Sequence, residues 1–327
     1  MLSLRSCQSP RTLARGIAVT VAAAAVLAAA PSVPALAARA SGGPAAAVLA
    51  QSGGPTVLAR SGGPTVLARS GGPADVQVRG ADLVDAGTDL RLWGSKINVR
   101  RPMGSITKVM TALLVIRAGH LNQEIRVTRA AVRYVHKDGA SSAGLVAGDV
   151  LTARQLLAAM LIPSGCDAAY LLATAYGPGR GAFVQQMNAM ALKLGLTSTH
   201  FSGFDGMPYP TEYSTYSTPA DLIRLGEQAM RYRVFRRIVA RRSYRLAATP
   251  LHHRYAWQST DKLLGSYRGA IGIKTGDTDA AGNCLLFEAR RAGQTLIGVI
   301  LHANPTDNFG ALFASARRML NWGFSRI

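Results

Sequence analysis

The sequence predicts a mixed α/β domain in which a sheet drawn from both ends of the folded part brackets a helical lobe. Two observations carry that reading. Strand-like runs lie near residue 82 and again after residue 270, and helical apolar patterns fill the interval between them. From Gly80 onward about 248 residues remain, a size that one domain accommodates.

The elements follow in order. Residues 1–37 have the layout of a secretory signal: Arg5, Arg11 and Arg15, then the apolar run 16–30, then small residues at 35–37. The run is too short and alanine-rich for a comfortable membrane span, so an exported protein is expected. Residues 38–79 hold a repeat, with "SGGPTVLAR" twice in tandem at 52–69 and further "SGGP" starts at Ser41 and Ser70. Gly-Gly-Pro every nine residues breaks helix and strand alike, so this stretch reads as a disordered spacer ahead of a catalytic domain at 80–327. "DLVDAGTDLRLW" (82–93) suggests two strands about a glycine turn. Apolar residues at 106, 109, 110, 113, 114 and 116 mark a helix opened by Ser105 and closed by Gly119. Helical patterns recur near 153–162, 166–176, 181–195 and 219–232. Strands are expected at 270–275, 283–291 and 295–303, and a last amphipathic helix at 307–324.

Composition narrows the chemistry. The formal net charge is +20, and removing residues 1–37 takes three arginines and no acid, leaving +17. Such a balance favours membrane surfaces or acidic wall polymers, while export argues against nucleic acid. Arginine accounts for 31 of the 37 basic residues, so coding bias explains the charge equally well. Outside the signal only Cys166 and Cys284 remain, which is no disulfide framework. The six histidines are scattered with no HExxH, so neither a metal nor a cofactor is expected.

Three short motifs occur in a telling order: Ser105-Ile106-Thr107-Lys108, then "PSGCDAA" (163–169), then "IKTGDT" (273–278). Ser-x-x-Lys, Ser-x-Asn and Lys-Thr-Gly in that order mark penicillin-recognising serine acyl transferases. Another Ser-x-x-Lys, Ser259 to Lys262, is rejected because it follows the second motif and the glycines after it would cut a helix short. A serine hydroxyl needs a base, and a desolvated Lys108 near Lys274 is expected to be partly neutral and able to serve. Ser164 would relay a proton to the leaving amine. Lys274 would supply a positive field, and Thr275 would bind a substrate carboxylate. Gly276 would let substrate approach the sheet edge, and the N–H groups of Ser105 and Asp277 would form an oxyanion hole.

Across residues 80–324 the chain resembles the low-molecular-mass penicillin-binding proteins, specifically the serine D-alanyl-D-alanine carboxypeptidases. The resemblance rests on "GSITKVMTALLVI", "GDVLTARQLLAAMLIPSG", "FVQQMNAMALKLGLTSTHF", "YSTPADLIRL", "GAIGIKTGDTDAAGNCLLFEARR" and "LIGVIL". It implies a β-lactamase/transpeptidase-like fold, an antiparallel five-stranded sheet flanked by helices plus an all-helical lobe. It also implies removal of the terminal D-alanine from peptidoglycan pentapeptide stems, and covalent capture by β-lactams. Several family members carry a second β domain and a C-terminal anchor, neither of which is expected in a chain that stops at Ile327.

One position departs from the family. Cys166 stands where the family has asparagine, and a thiol is a poor substitute for an amide that holds a peptide carbonyl. A working or weakened carboxypeptidase is the reading adopted. A secreted wall-peptide-binding pseudoenzyme is the alternative, and a β-lactamase would need a Glu-x-x-x-Asn loop that is missing between Cys166 and Lys274. Two nearby lysines and a helix start also predict a depressed thiol pKa at Cys166 and redox sensitivity.

Overall fold

The computed structural model describes residues 71–137, 139–303 and 309–327. The expected signal, most of the spacer and the start of the last helix at 307–308 lie outside those residues. Strand β1 (Val78–Asp85) begins inside the expected spacer, and Pro73 just before it is already buried.

Five antiparallel strands form the main sheet in the order β2 (Leu90–Ser95), β1, β9 (Gln294–Ala303), β8 (Asn283–Arg291) and β7 (Ala270–Gly276). The N-terminal hairpin therefore pairs with the last strand, with Gly80 opposite Leu301 and Asp85 opposite Leu296. The β8–β9 hairpin turns at Ala292-Gly293, both at positive φ, as a tight right-twisting turn requires.

Both faces of the sheet are covered, which explains why β8 reads as a continuous apolar run (NCLLFEARR) instead of an alternating one. Leu285, Phe287 and Ala289 join the cluster made with Leu312, Ala316, Met319 and Leu320 of the C-terminal helix α8 (Gly310–Phe324). Leu286 on the other face joins the larger core with Leu222 and Leu225 of α6 (Pro219–Met230).

The helical lobe fills the middle of the chain. It comprises α1 (Lys108–Ala118), α2 (Arg129–Lys137), α3 (Ala153–Leu161), α4 (Cys166–Tyr176) and α5 (Arg180–Lys193). Helix α3 starts at a capping box in which Thr152 and Gln155 satisfy each other's backbone N–H groups. Thr218 caps α6, with Pro219 in its first turn where a missing N–H costs nothing. Within the lobe β3 (Glu124–Arg126) and β4 (Val150–Thr152), on either side of α2 in the chain, pair as a small antiparallel sheet. Helix α7 (Arg233–Val239) and the hairpin β5 (Ser243–Leu246) and β6 (Tyr255–Gln258) link α6 to β7.

Candidate active site

The nucleophile candidate sits on a 3₁₀ turn, Gly104–Thr107, just before α1. The expected α-helical start is thus one tighter turn, held by Thr107 Oγ1 donating to Gly104 O at 2.8 Å. The i, i+3 spacing does what the sequence suggested: Lys108 Nζ lies 2.6 Å from Ser105 Oγ. The amine also donates to Asp205 O at 2.9 Å, and Lys108 is 0 % exposed.

The turn is clamped from two sides. At Gly276, a Cβ would lie 2.2 Å from Met103 O and 3.2 Å from Ser105 N, so β7 ends directly against the turn. The missing side chain of Gly276 thus admits the protein's own nucleophile turn, and Gly276 also lines the cleft beside Ser105. At Gly206 (φ +88°) a Cβ would lie 2.0 Å from Gly104 O. The loop carrying Gly206 is itself fixed, with Thr111 Oγ1 donating to Phe204 O at 2.5 Å and Tyr134 Oη to Asp205 Oδ2 at 2.8 Å.

Ser164 sits between α3 and α4 at φ +68°, a left-handed conformation unusual for a residue with a side chain. It is 5 % exposed and lines the same cleft as Ser105. Gly139, Ala140 and Ser141 line the cleft as well, and the segment that follows is pinned by the buried Asp167 carboxylate, which accepts from Ser142 Oγ at 2.9 Å and Ala143 N at 3.0 Å. Cys166 also lines the cleft, and its N–H donates to Ser141 O at 2.7 Å.

The third motif forms the end of β7. Lys274 is 1 % exposed and donates to Thr275 O at 3.0 Å. Burial first, and then the neighbouring Lys108 amine, hold Lys274 well below the usual lysine range. The standing positive charge expected there is therefore opposed by its surroundings. Thr275 Oγ1 shares a 2.6 Å hydrogen bond with Thr260 Oγ1, a residue of the rejected Ser259–Lys262 segment that does line the cleft. Beside it Asp261 is buried with Oδ2 unpartnered, and desolvation pushes its carboxyl up to about 6. The Asp277 N–H donates to no described residue, and it lies 2.7 Å from where a Gly104 Cβ would stand, beside the nucleophile turn.

Burial overturns the expectation for the cysteine. Desolvation pushes the Cys166 thiol up to about 12, outweighing the nearby Lys108 amine, so it is no thiolate at neutral pH. Cys284 behaves alike, and both thiols are free.

The cleft of about 470 Å³ thus gathers Ser105, Ser164, Cys166, Thr275, Gly276 and Asp277, with Lys108 and Lys274 buried behind them. Sequence reasoning missed Tyr134, Asp167, Asp205 and Thr260. The Asp-Gly pair inside "GFDGMP" was the one local signal of a tight turn among them. A hydroxyl held 2.6 Å from a buried amine beside a sheet edge is an arrangement in which a lysine can fill the place that a general base takes in serine hydrolases.

Comparison with known proteins agrees. A family model described as D-alanyl-D-alanine carboxypeptidase matches residues 68–305. A D-alanyl-D-alanine carboxypeptidase of Streptomyces sp. strain K15 is 38% identical over 258 residues, covering 75% of this chain and 87% of that one. One from Mycobacterium tuberculosis is 34% identical over 249 residues, covering 75% of this chain and 80% of that one. The crystal structure of the Streptomyces K15 DD-transpeptidase superposes with a TM-score of 0.72 at 37% identity, covering 76% of this chain and 97% of that one. The chain belongs to the D-alanyl-D-alanine carboxypeptidase family of penicillin-binding serine hydrolases.

Proposed function

We propose that the protein removes the terminal D-alanine from peptidoglycan stem peptides through an ester on Ser105. The observation that carries this is the 2.6 Å contact between Ser105 Oγ and a fully buried Lys108 amine. Ser105 Oγ attacks the carbonyl carbon of the D-Ala-D-Ala bond, and its proton passes to Lys108 Nζ. The N–H groups of Ser105 and Asp277 receive the developing oxyanion. The proton then reaches the leaving amine through the Ser164 hydroxyl, releasing D-alanine. Water attacks the acyl-enzyme with Lys108 again as base, and Ser105 regains its proton.

Burial and the neighbouring Lys108 amine hold Lys274 well below the usual lysine range. A substrate carboxylate bound at Thr275 and Thr260 places an opposite charge beside Lys274 and favours its ammonium. Cys166 lines the place where a substrate amide would lie and offers it only a weak partner.

Action on peptidoglycan places the protein in the cell envelope. Residues 1–37 as an export signal and the SGGP repeats as a spacer fit that location, as does affinity of a +17 mature chain for anionic wall polymers. Incubation with a fluorescent penicillin, then with diacetyl-Lys-D-Ala-D-Ala, tests the proposal. Stable labelling with D-alanine release, both lost in Ser105→Ala, is expected. Rapid turnover of the drug would mean a β-lactamase, and labelling without peptide cleavage a binding protein.

A further inference from the structure

Away from the Ser105 cleft, helices α3 and α7 border a second cleft of about 440 Å³. Its floor is Ala158, Val234, Ile238 and Tyr244, and its rim is Arg154, Arg233, Arg237 and Arg241. No residue of it lines the catalytic cleft. Arg233 and Arg237 stand one helical turn apart on α7, and Arg241 follows in the same progression with its guanidinium over the Tyr244 ring at 5.4 Å.

No described residue pairs with these charges. Among the described residues the ion pairs are Arg91 with Asp82 and His253 with Asp149, and none of the four rim guanidiniums takes part. Nor do their side chains donate a hydrogen bond to any described residue. Residues 231–246 contain seven arginines, and no Asp or Glu occurs anywhere in 228–260. Four unpaired guanidiniums around one concavity repel each other, and an arginine fork fits phosphate oxygens in a bidentate way. Four of the 31 arginines thus meet at one concavity.

We propose that this cleft binds a phosphate-bearing polyanion of the cell envelope, a flexible chain whose successive phosphates meet Arg154, Arg233, Arg237 and Arg241. The proposal rests on the envelope location read above. Other occupants fit less well. Residues 1–70 contain no acid, so the chain's own N-terminal part brings no counter-charge. A second mature copy carries the same +17. A lipid surface would call for exposed apolar anchors, yet among the described residues the exposed large apolar side chains, Val99, Val146, Leu192, Tyr209, Tyr213 and Leu251, all lie outside this cleft. Holding a wall polymer here would keep the enzyme beside its insoluble substrate without occupying the catalytic cleft, raising the local concentration of stems.

Binding of labelled inorganic polyphosphate, followed by anisotropy across a salt series, tests this. The set Arg233→Gln, Arg237→Gln and Arg241→Gln should weaken binding roughly tenfold or more. It should also lower the slope of log affinity against log salt by about two, as expected when three phosphate contacts are lost. Arg154→Gln alone, on the opposite wall, should weaken it in the same direction. A control set of equal charge change, Arg129→Gln, Arg133→Gln and Arg290→Gln, should leave binding nearly unchanged. Equal losses in both sets, no polyphosphate binding by the wild type, or binding only to vesicles of phosphatidylglycerol and phosphatidylcholine would each overturn the proposal. All variants should react with penicillin like the wild type. A wild type that fails to react would instead strike the peptidase reading and leave the polyphosphate comparison standing.

Discussion

Cys166 and Lys108 show what a residue's identity says and what only its surroundings can say. That the two would meet at one site was legible from motif order. Their chemistry was not, because a thiol's acidity depends on burial, and burial is a property of the folded neighbourhood. Helix start and nearby amines argued for a thiolate, but desolvation outweighs both and holds the thiol near 12. Iodoacetamide at pH 7.5 should therefore modify native Cys166 far more slowly than the unfolded protein's thiols, with peptide mapping as the readout; labelling at the unfolded rate would contradict this. Cys166→Asn would restore an oriented amide to the wall of the cleft. Since such a hydrogen bond is worth about 1–3 kcal/mol, peptide turnover should rise roughly ten- to a hundredfold with penicillin acylation preserved. An unchanged kcat/KM would mean that the residue does not touch the substrate.

Helices and strands whose apolar spacing matched their burial were legible almost to the residue. Strand β8 was expected at 283–291 and runs Asn283–Arg291, and α4 was expected at 166–176 and runs Cys166–Tyr176. Short elements were missed: the three- and four-residue strands β3 to β6, which are defined by partners instead of period, and the nine-residue α2, whose apolar stripe of Ala131, Val132 and Val135 is too brief to stand out beside its charged positions. The clamp on the nucleophile turn belongs with these, because no local pattern says that β7 and the 202–208 loop close on Gly104. It yields a sharp expectation. In Gly276→Ala the new methyl would strike Met103 O, a backbone atom that cannot swing aside. The turn must then shift, and a displacement of about 1 Å at a reacting group can cost on the order of a hundredfold in rate. Penicillin acylation kinetics should show that loss while near-wild-type circular dichroism shows the fold retained. Full acylation speed would mean that β7 does not position Ser105.

At the scale of the whole molecule, buried carboxyls set the response to pH. Burial pushes Glu227 and Glu288 up to about 7 and Asp261 up to about 6. Each binds its proton more tightly folded than unfolded, so its stabilisation is complete below the unfolded carboxyl range and is lost as pH rises through 6 to 7. His302 and Lys274, both held below their usual ranges by burial, work in the opposite sense. The carboxyl contribution is therefore read as a difference: relative to the wild type, Glu288→Gln should lose part of any gain in melting temperature that comes on lowering pH from 8 to 6. Identical pH profiles for the two would show that the Glu288 carboxyl is solvated. Architecture at this scale was the most legible part of all: a sheet joining both ends of the folded chain around a helical lobe follows from where the two periodicities change.

The central claim is that Ser105 becomes an ester because Lys108 takes its proton. Tryptic mass spectrometry of the protein treated with benzylpenicillin tests it most directly. The account predicts one adduct of the intact drug's mass on the peptide containing Ser105, and none in Ser105→Ala or, over the same minutes, in Lys108→Met. A wild-type protein without an adduct, or with one at Ser164 or Ser259 instead, would contradict it.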